Sequence, residues 1–193
     1  MEQQTREQWL MNATDALRPL FAQHGHTIPA NVKATCGFPS RGALSLRKRT
    51  IGQCWDQDAS SAKVFEIFVS PVLAEPVEVL GVLAHELVHA TVGTKCGHKK
   101  PFKQLATAIG LEGKMTETTT GETFKRFAAS TLKSIGEYPH AELNPRSMLR
   151  KQGTRMVKCE CEECGYTVRT TRKWIETCGA PICPLDNQQM QVL

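Results

Sequence analysis

No stretch of the 193 residues approaches the roughly 20 uninterrupted apolar residues that a membrane-spanning helix needs. The opening MEQQTREQW lacks the basic-then-apolar layout of a secretion signal. Internal repeats and low-complexity tracts are absent as well. What remains is an apolar fraction of 40% beside a charged fraction of 22%, the balance of a folded globular protein rather than a disordered or fibrous one. These features point to an intracellular, cytoplasmic chain with no membrane partner. In a reducing compartment the eight cysteines are then better read as metal ligands or buried apolar residues than as disulfides.

Five of those cysteines fall late in the chain, at Cys159, Cys161, Cys164, Cys178 and Cys183, whereas Cys36, Cys54 and Cys96 are scattered and read as small buried side chains. Charge follows the same division. Arg146 to Lys173 carries eight Lys or Arg against three Glu, which equals the whole net charge of +5. A basic surface on a small module is the footprint expected of a phosphate-backbone partner.

Thr5 to about Gln23 reads as an amphipathic helix within an N-terminal segment 1–24, with apolar residues recurring at three and four from Trp9 to Phe21. Thr5 and Gln8 have capping-box spacing, and Pro19 leaves the end of the helix open. Residues 24–62 offer short extended pieces at best, such as ALSLRK and RTIGQCW. KVFEIFVSP has the composition of a strand that is apolar on both faces, placed inside a sheet or beside the site. Helices are expected from Glu75 or Pro76 to Gly93, from Pro101 to Gly110, and over 122–136. YPHAELNPRS reads as a loop, and the domain break is placed between Arg146 and Gly153, which gives units 1–145 and 154–193.

Within the helix VEVLGVLAHELVHATV, His85 and His89 are four residues apart and so lie on one face, where two imidazoles can reach one metal. Glu86, next to the first of them, is placed to reach a water on that metal rather than the metal itself, the position a general base needs. Burying two imidazoles and a carboxylate in so apolar a helix would otherwise cost several kcal/mol. A catalytic zinc keeps three protein ligands and leaves one position for water. The metzincin spacing would place the third at position 95, which is Lys95, so that arrangement is excluded. His98 follows a stretch with two glycines that lets the chain double back and is the favoured third ligand; Glu112, Glu117 and His140 are the alternatives.

HELVHA, then GH and PF, with IGQCW and EIFVSP upstream and GLEGKMTET downstream, resembles the SprT-like family of zinc metallopeptidases. Eukaryotic relatives in that family include the Spartan proteases, which act on DNA–protein crosslinks; this chain most resembles the compact bacterial and phage members. The likeness runs from about residue 35 to the end. It implies an α+β, zincin-like metallopeptidase domain followed by a small β zinc ribbon. It also implies that His85, His89 and His98 hold zinc, that Glu86 takes a proton from water activated by the metal, and that protein substrates lie on DNA. Tyr138 and His140 are the candidates for stabilising an oxyanion.

The C-terminal stretch carries CEECG, whose two cysteines and glycine let one tight turn offer two sulfurs to a second, structural zinc. The family's second cysteine pair is incomplete here, because Leu185 occupies the expected position after GAPICP. Cys161, Cys164 and Cys183 are assigned as ligands with Cys178 as the fourth, and Cys159, Asp186 or a degenerate ribbon without tightly bound metal as alternatives. TVRTTRKW reads as a returning strand. Its Arg169, Arg172, Lys173 and Trp174 set cations beside an aromatic ring, which suits contact with DNA. The competing reading is a nucleic-acid-binding or transcription-associated adaptor whose metallopeptidase-like site is idle.

Overall fold

Thr5 caps the first helix, α1 (Arg6–Gln23), in the computed structural model, which describes residues 4–45, 47–147 and 156–193. The Gln8 amide donates to Thr5 Oγ1 at 3.1 Å and the Thr5 amide donates to Gln8 Oε1 at 2.7 Å, closing the capping box. Pro19 does not stop the helix. A helical proline costs about 3 kcal/mol, and burying Leu17, Leu20 and Phe21 around it offsets that at about 1.5–3 kcal/mol each. Tertiary contacts divide the chain into two units, Met1–Pro145 and Arg146–Leu193.

The first unit is mixed α and β. Its sheet consists of β1 (Val32–Cys36), β2 (Gly52–Trp55) and β3 (Phe65–Val69) in the order β1-β3-β2. The apolar strand β3 takes the centre, parallel to β1 and antiparallel to β2. Residues 63–71 were expected to form an interior strand, and β3 is that strand. β1, with Lys33 and Thr35 among its five residues, has too little apolar content to stand out from the sequence around it. β2 is an edge strand and leaves one row of backbone groups unpaired within the sheet.

Glu75 caps α2 (Pro76–Val92) by accepting from the Val77 amide at 3.1 Å and the Glu78 amide at 2.6 Å. Gly93, at φ 90°, ends α2, and a 3-10 turn at Thr94–Cys96 leads into α3 (Lys100–Ala108). An antiparallel hairpin of β4 (Leu111–Lys114) and β5 (Glu117–Thr120) precedes α4 (Glu122–Ile135). Trp9, Phe21, Phe102 and Phe124 are fully buried together with Leu80, Leu83 and Leu87 of α2. This core packs α2 against β2 and β3.

The second unit is a three-stranded antiparallel sheet, β7-β6-β8, made of β6 (Met156–Glu160), β7 (Thr167–Thr171) and β8 (Gln191–Val192). The strand expected over TVRTTRKW stops at Thr171, and Arg172–Cys178 forms the helix α5. Ile175 of α5 packs on the small core of Cys159, Cys161, Cys183 and Met190. Among the described residues no helix is long and apolar enough to cross a membrane.

Candidate functional site

One helical turn of α2 separates His85 from His89 and puts both on one face, and the chain returns through the glycine-flanked turn to bring His98 against both. His98 Nε2 lies 3.1 Å from His85 Nε2 and 3.2 Å from His89 Nε2. One ring nitrogen from each of the three falls within 4.8 Å of the others, a separation that places a single ion within reach of all three. Phe102, fully buried in α3, supports the cluster from below with ring centroids 4.4–4.8 Å from each imidazole. Thr94 Oγ1 donates to Asp56 Oδ2 at 2.5 Å, tying the turn before His98 to the segment after β2. Neither Phe102 nor Asp56 was singled out as a site residue from the sequence; the PF that follows GH was the available signal.

Burial pushes the His85 imidazole down to about 3 and the His89 imidazole down to about 4, and the neighbouring rings add to both shifts. His98 is lowered by the same burial. All three rings are therefore neutral near pH 7, the form that binds metal. Three neutral ring nitrogens, His98 Nε2 lying 3.1–3.2 Å from the other two and no acid among them, make a poor hydrogen-bonded cluster and a good donor set for a divalent ion of zinc type. The residues present fit a metal.

Glu86 is 6% exposed, and its carboxylate approaches Gly52 of β2 while lining the same cleft as the three rings. Burial raises its carboxyl to about 8, opposed by a hydrogen bond from the Cys54 backbone. A Cβ added at Gly52 would collide with Glu86 Oε1 and sit 2.7 Å from Val82 Cγ1, so only glycine lets the edge strand pass this close. Glu86 Oε1 ends a flexible side chain, whereas Val82 Cγ1 belongs to a β-branched one that is stiff in a helix. Gly52→Ala is accordingly expected to lower any hydrolytic rate by about 10²-fold through misplacement of the carboxylate, together with a lowered thermal midpoint. An alanine variant with wild-type turnover contradicts this placement.

The shifts also set the acid–base behaviour of the metal-free protein. Depressed imidazoles contribute stability that is present above pH 6.5 and is lost as pH falls toward 3 to 4. Raised Glu86 contributes stability that is full below pH 4.5 and is lost as pH rises through about 8. Stability of the chelated first unit should peak at about pH 6.5–7. Urea midpoints followed by Trp9 fluorescence check this, and a monotonic pH dependence contradicts it.

His85, Glu86 and His89 form the floor of a cleft of about 740 Å³, with Gly52 and Cys54 of β2 on one wall and Thr116–Thr119 of the hairpin on the other. Glu117 lines this cleft, but neither it nor Glu112 joins the three histidines. Tyr138 and His140 lie outside it. Tyr138 is buried against Trp9 at 4.9 Å, and His140 Nε2 bonds the Pro71 carbonyl at 2.8 Å, so both serve packing. Burial drives the Cys54 thiol well above its usual range, with Glu86 and Asp56 adding to the shift, so it stays a neutral thiol.

A second cluster brings together Cys161, Cys164, Cys183 and Asp186. Cys164 and Cys183 sulfurs are 3.6 Å apart, and Asp186 Oδ2 accepts from Cys161 at 3.2 Å and from Cys183 at 3.3 Å. Those thiols hold the Asp186 carboxyl below its usual range, and the carboxylate in turn raises the Cys164 thiol to about 12. Cys178, expected as the fourth member, does not join; it ends α5 and is exposed. Cys159 is buried on β6 and is not part of the cluster.

Asp186 takes the fourth place because two turns have the same construction. In one, the Gly165 amide bonds the Cys161 carbonyl at 2.9 Å; in the other, the Asn187 amide bonds the Cys183 carbonyl at 3.0 Å. Gly165 (φ 74°) and Asn187 (φ 51°) both adopt the left-handed region open to glycine and tolerated by asparagine. Each turn thus presents a ligand at its first position and another three residues on.

Arg169 is exposed on β7, whereas Arg172, Lys173 and Trp174 are exposed on the first turn of α5. Lys173 Nζ lies 5.3 Å from the centroid of the Trp174 ring. These four side chains do not share the one strand expected over TVRTTRKW. No protein-family model, no curated protein and no solved structure matches this chain.

Proposed function

We propose that the chain is a zinc-dependent endopeptidase of SprT-like type, with a zincin-like first unit and a basic zinc ribbon, acting inside the cell on DNA-associated proteins. One observation carries this reading: three neutral imidazoles converge beside a buried carboxylate in a cleft bordered by an open strand edge. His85, His89 and His98 would hold the catalytic ion, and Cys161, Cys164, Cys183 and Asp186 the structural one. When bound, zinc supplies Lewis acidity that acidifies water and polarises a carbonyl.

The chain's own residues do the rest. The edge of β2, apart from the Cys54 backbone group that Glu86 engages, offers backbone groups to an extended peptide, which adds as a further strand and lays a scissile bond across the cleft floor. Glu86 takes the proton of the attacking water on a carboxylate oxygen and passes it to the departing amine, so one water is consumed per bond cut. Only the ionised carboxylate can begin this cycle, and a cation held by the adjacent rings favours that form over the protonated one preferred in its absence.

Casein hydrolysis by the full chain, with and without a chelator, tests the peptidase. Cleavage that is lost on chelation and restored by zinc supports it; cleavage indifferent to chelation, or none with zinc present, contradicts it. Exposed Arg169, Arg172, Lys173 and Trp174 support the nucleic-acid role, in which affinity for DNA should fall steeply with rising salt. Salt-dependent DNA binding without any cleavage would favour the adaptor reading.

A further inference from the structure

The geometry points to Thr118 as a positioning residue that fixes the tautomer and orientation of His85, an inference resting on the reading of His85 as a metal ligand. His85 Nδ1 lies 2.8 Å from Thr118 Oγ1, while its Nε2 is the nitrogen turned toward His98. With the Nδ1 proton donated to the hydroxyl, the lone pair is confined to Nε2, where the three rings converge. Among the described residues, His85 is the one member of the trio whose second nitrogen has a protein partner.

This contact follows from the seating of the hairpin on α2. Along β5, Thr118 and Thr120 are two residues apart and half-buried, whereas Glu117 and Thr119 between and beside them are exposed. Along α2, Gly81 and His85 are four apart and share a face. A Cβ at Gly81 would lie 2.5 Å from Thr120 Cγ2, so the glycine is the socket for the Thr120 methyl. Seating Thr120 there brings Thr118, two residues back along β5, to the ring one helical turn further along α2. Gly81, an unfavourable residue for a helix interior, is thereby explained by the strand that packs on it.

The test is the affinity of the full chain for cobalt(II), whose thiolate charge-transfer absorption marks the cysteine cluster and whose weaker d–d bands mark the histidine cluster. Thr118→Val keeps the side-chain shape and removes the acceptor; it should weaken binding at the histidine site by about 10–100-fold and leave the cysteine site unchanged. Thr118→Ser keeps the hydroxyl and should stay near wild type. A purely packing role for the methyl predicts the reverse order, with Ser impaired and Val unaffected. Gly81→Ala should also weaken the histidine site, although alanine suits a helix better. Wild-type affinity in Thr118→Val overturns the positioning role alone. A wild-type chain with no cobalt bands of histidine type overturns both this inference and the ligand assignment beneath it.

Discussion

Glu86→Gln is expected to reduce peptide hydrolysis by about 10²–10⁴-fold while zinc content stays at that of the wild type. Glutamine has the shape of the acid it replaces, so it can occupy the space that Gly52 leaves open against Val82. It cannot accept a proton from water. Because Glu86 is not among the three side chains that converge as a donor set, metal binding should be unaffected. Folding should not suffer either: the substitution removes a carboxyl whose ionisation burial opposes, so the metal-free variant should lose the stability decline that the wild type shows above its peak, between about pH 6.5 and 8. Zinc analysis beside a peptide-hydrolysis rate checks the pair of outcomes. Undiminished hydrolysis refutes the role of the carboxylate, and loss of zinc with activity makes Glu86 part of the ligand set instead.

The second large effect is expected at the other cluster. Four fully buried side chains, Cys159, Cys161, Cys183 and Met190, form the core of the second unit. At about 1.5–3 kcal/mol each they contribute on the order of 10 kcal/mol or less, well short of the entropy of ordering even the described strands and turns around them. Small structural zinc sites contribute about 10–16 kcal/mol in comparable settings. Chelation should therefore unfold the second unit while Trp9 in the first stays buried. Amide exchange reads this directly, as protection lost across β6 and β7 but retained in α2. Asp186→Ala should bring on the same loss at a lower chelator concentration, and Cys178→Ser should leave the transition where it was. A ribbon that stays protected without metal contradicts the account of its stability, and sensitivity at Cys178 rather than Asp186 contradicts the ligand set.

The contrast between Cys178 and Asp186 shows what the sequence makes legible. Thiolate chemistry favours another cysteine near Cys183, yet position is decided by backbone geometry. The turn following Cys183 repeats the spacing of the turn following Cys161 and places Asn187 where the first has Gly165. That repeat is readable once aspartate is admitted as a ligand and asparagine as a left-handed residue. Helices with local signals are the easiest part of the chain: the box at Thr5 and the caps at Glu75 and Gly93 delimit α1 and α2. His85 and His89 follow from helical period alone, and His98 from the glycines around its turn.

Features built from distant segments are not legible in this way. β1 is a strand because β3 lies beside it, and nothing in VKATC declares that. The hairpin 111–120 carries Glu, Lys and Thr where a period-two pattern would need apolar residues, since one of its faces borders an open cleft. Its contribution to His85 depends on a contact across 33 residues of sequence. Phe102 beneath the rings and Asp56 beside Thr94 belong to the same class.

The central claim is that three imidazoles hold one ion within reach of Glu86, and zinc content of the purified full chain beside its His98→Ala variant tests it most directly. Two zinc ions per wild-type chain, one for each cluster, falling to one in the variant is the result the account predicts. An equal zinc content in the two proteins would contradict it.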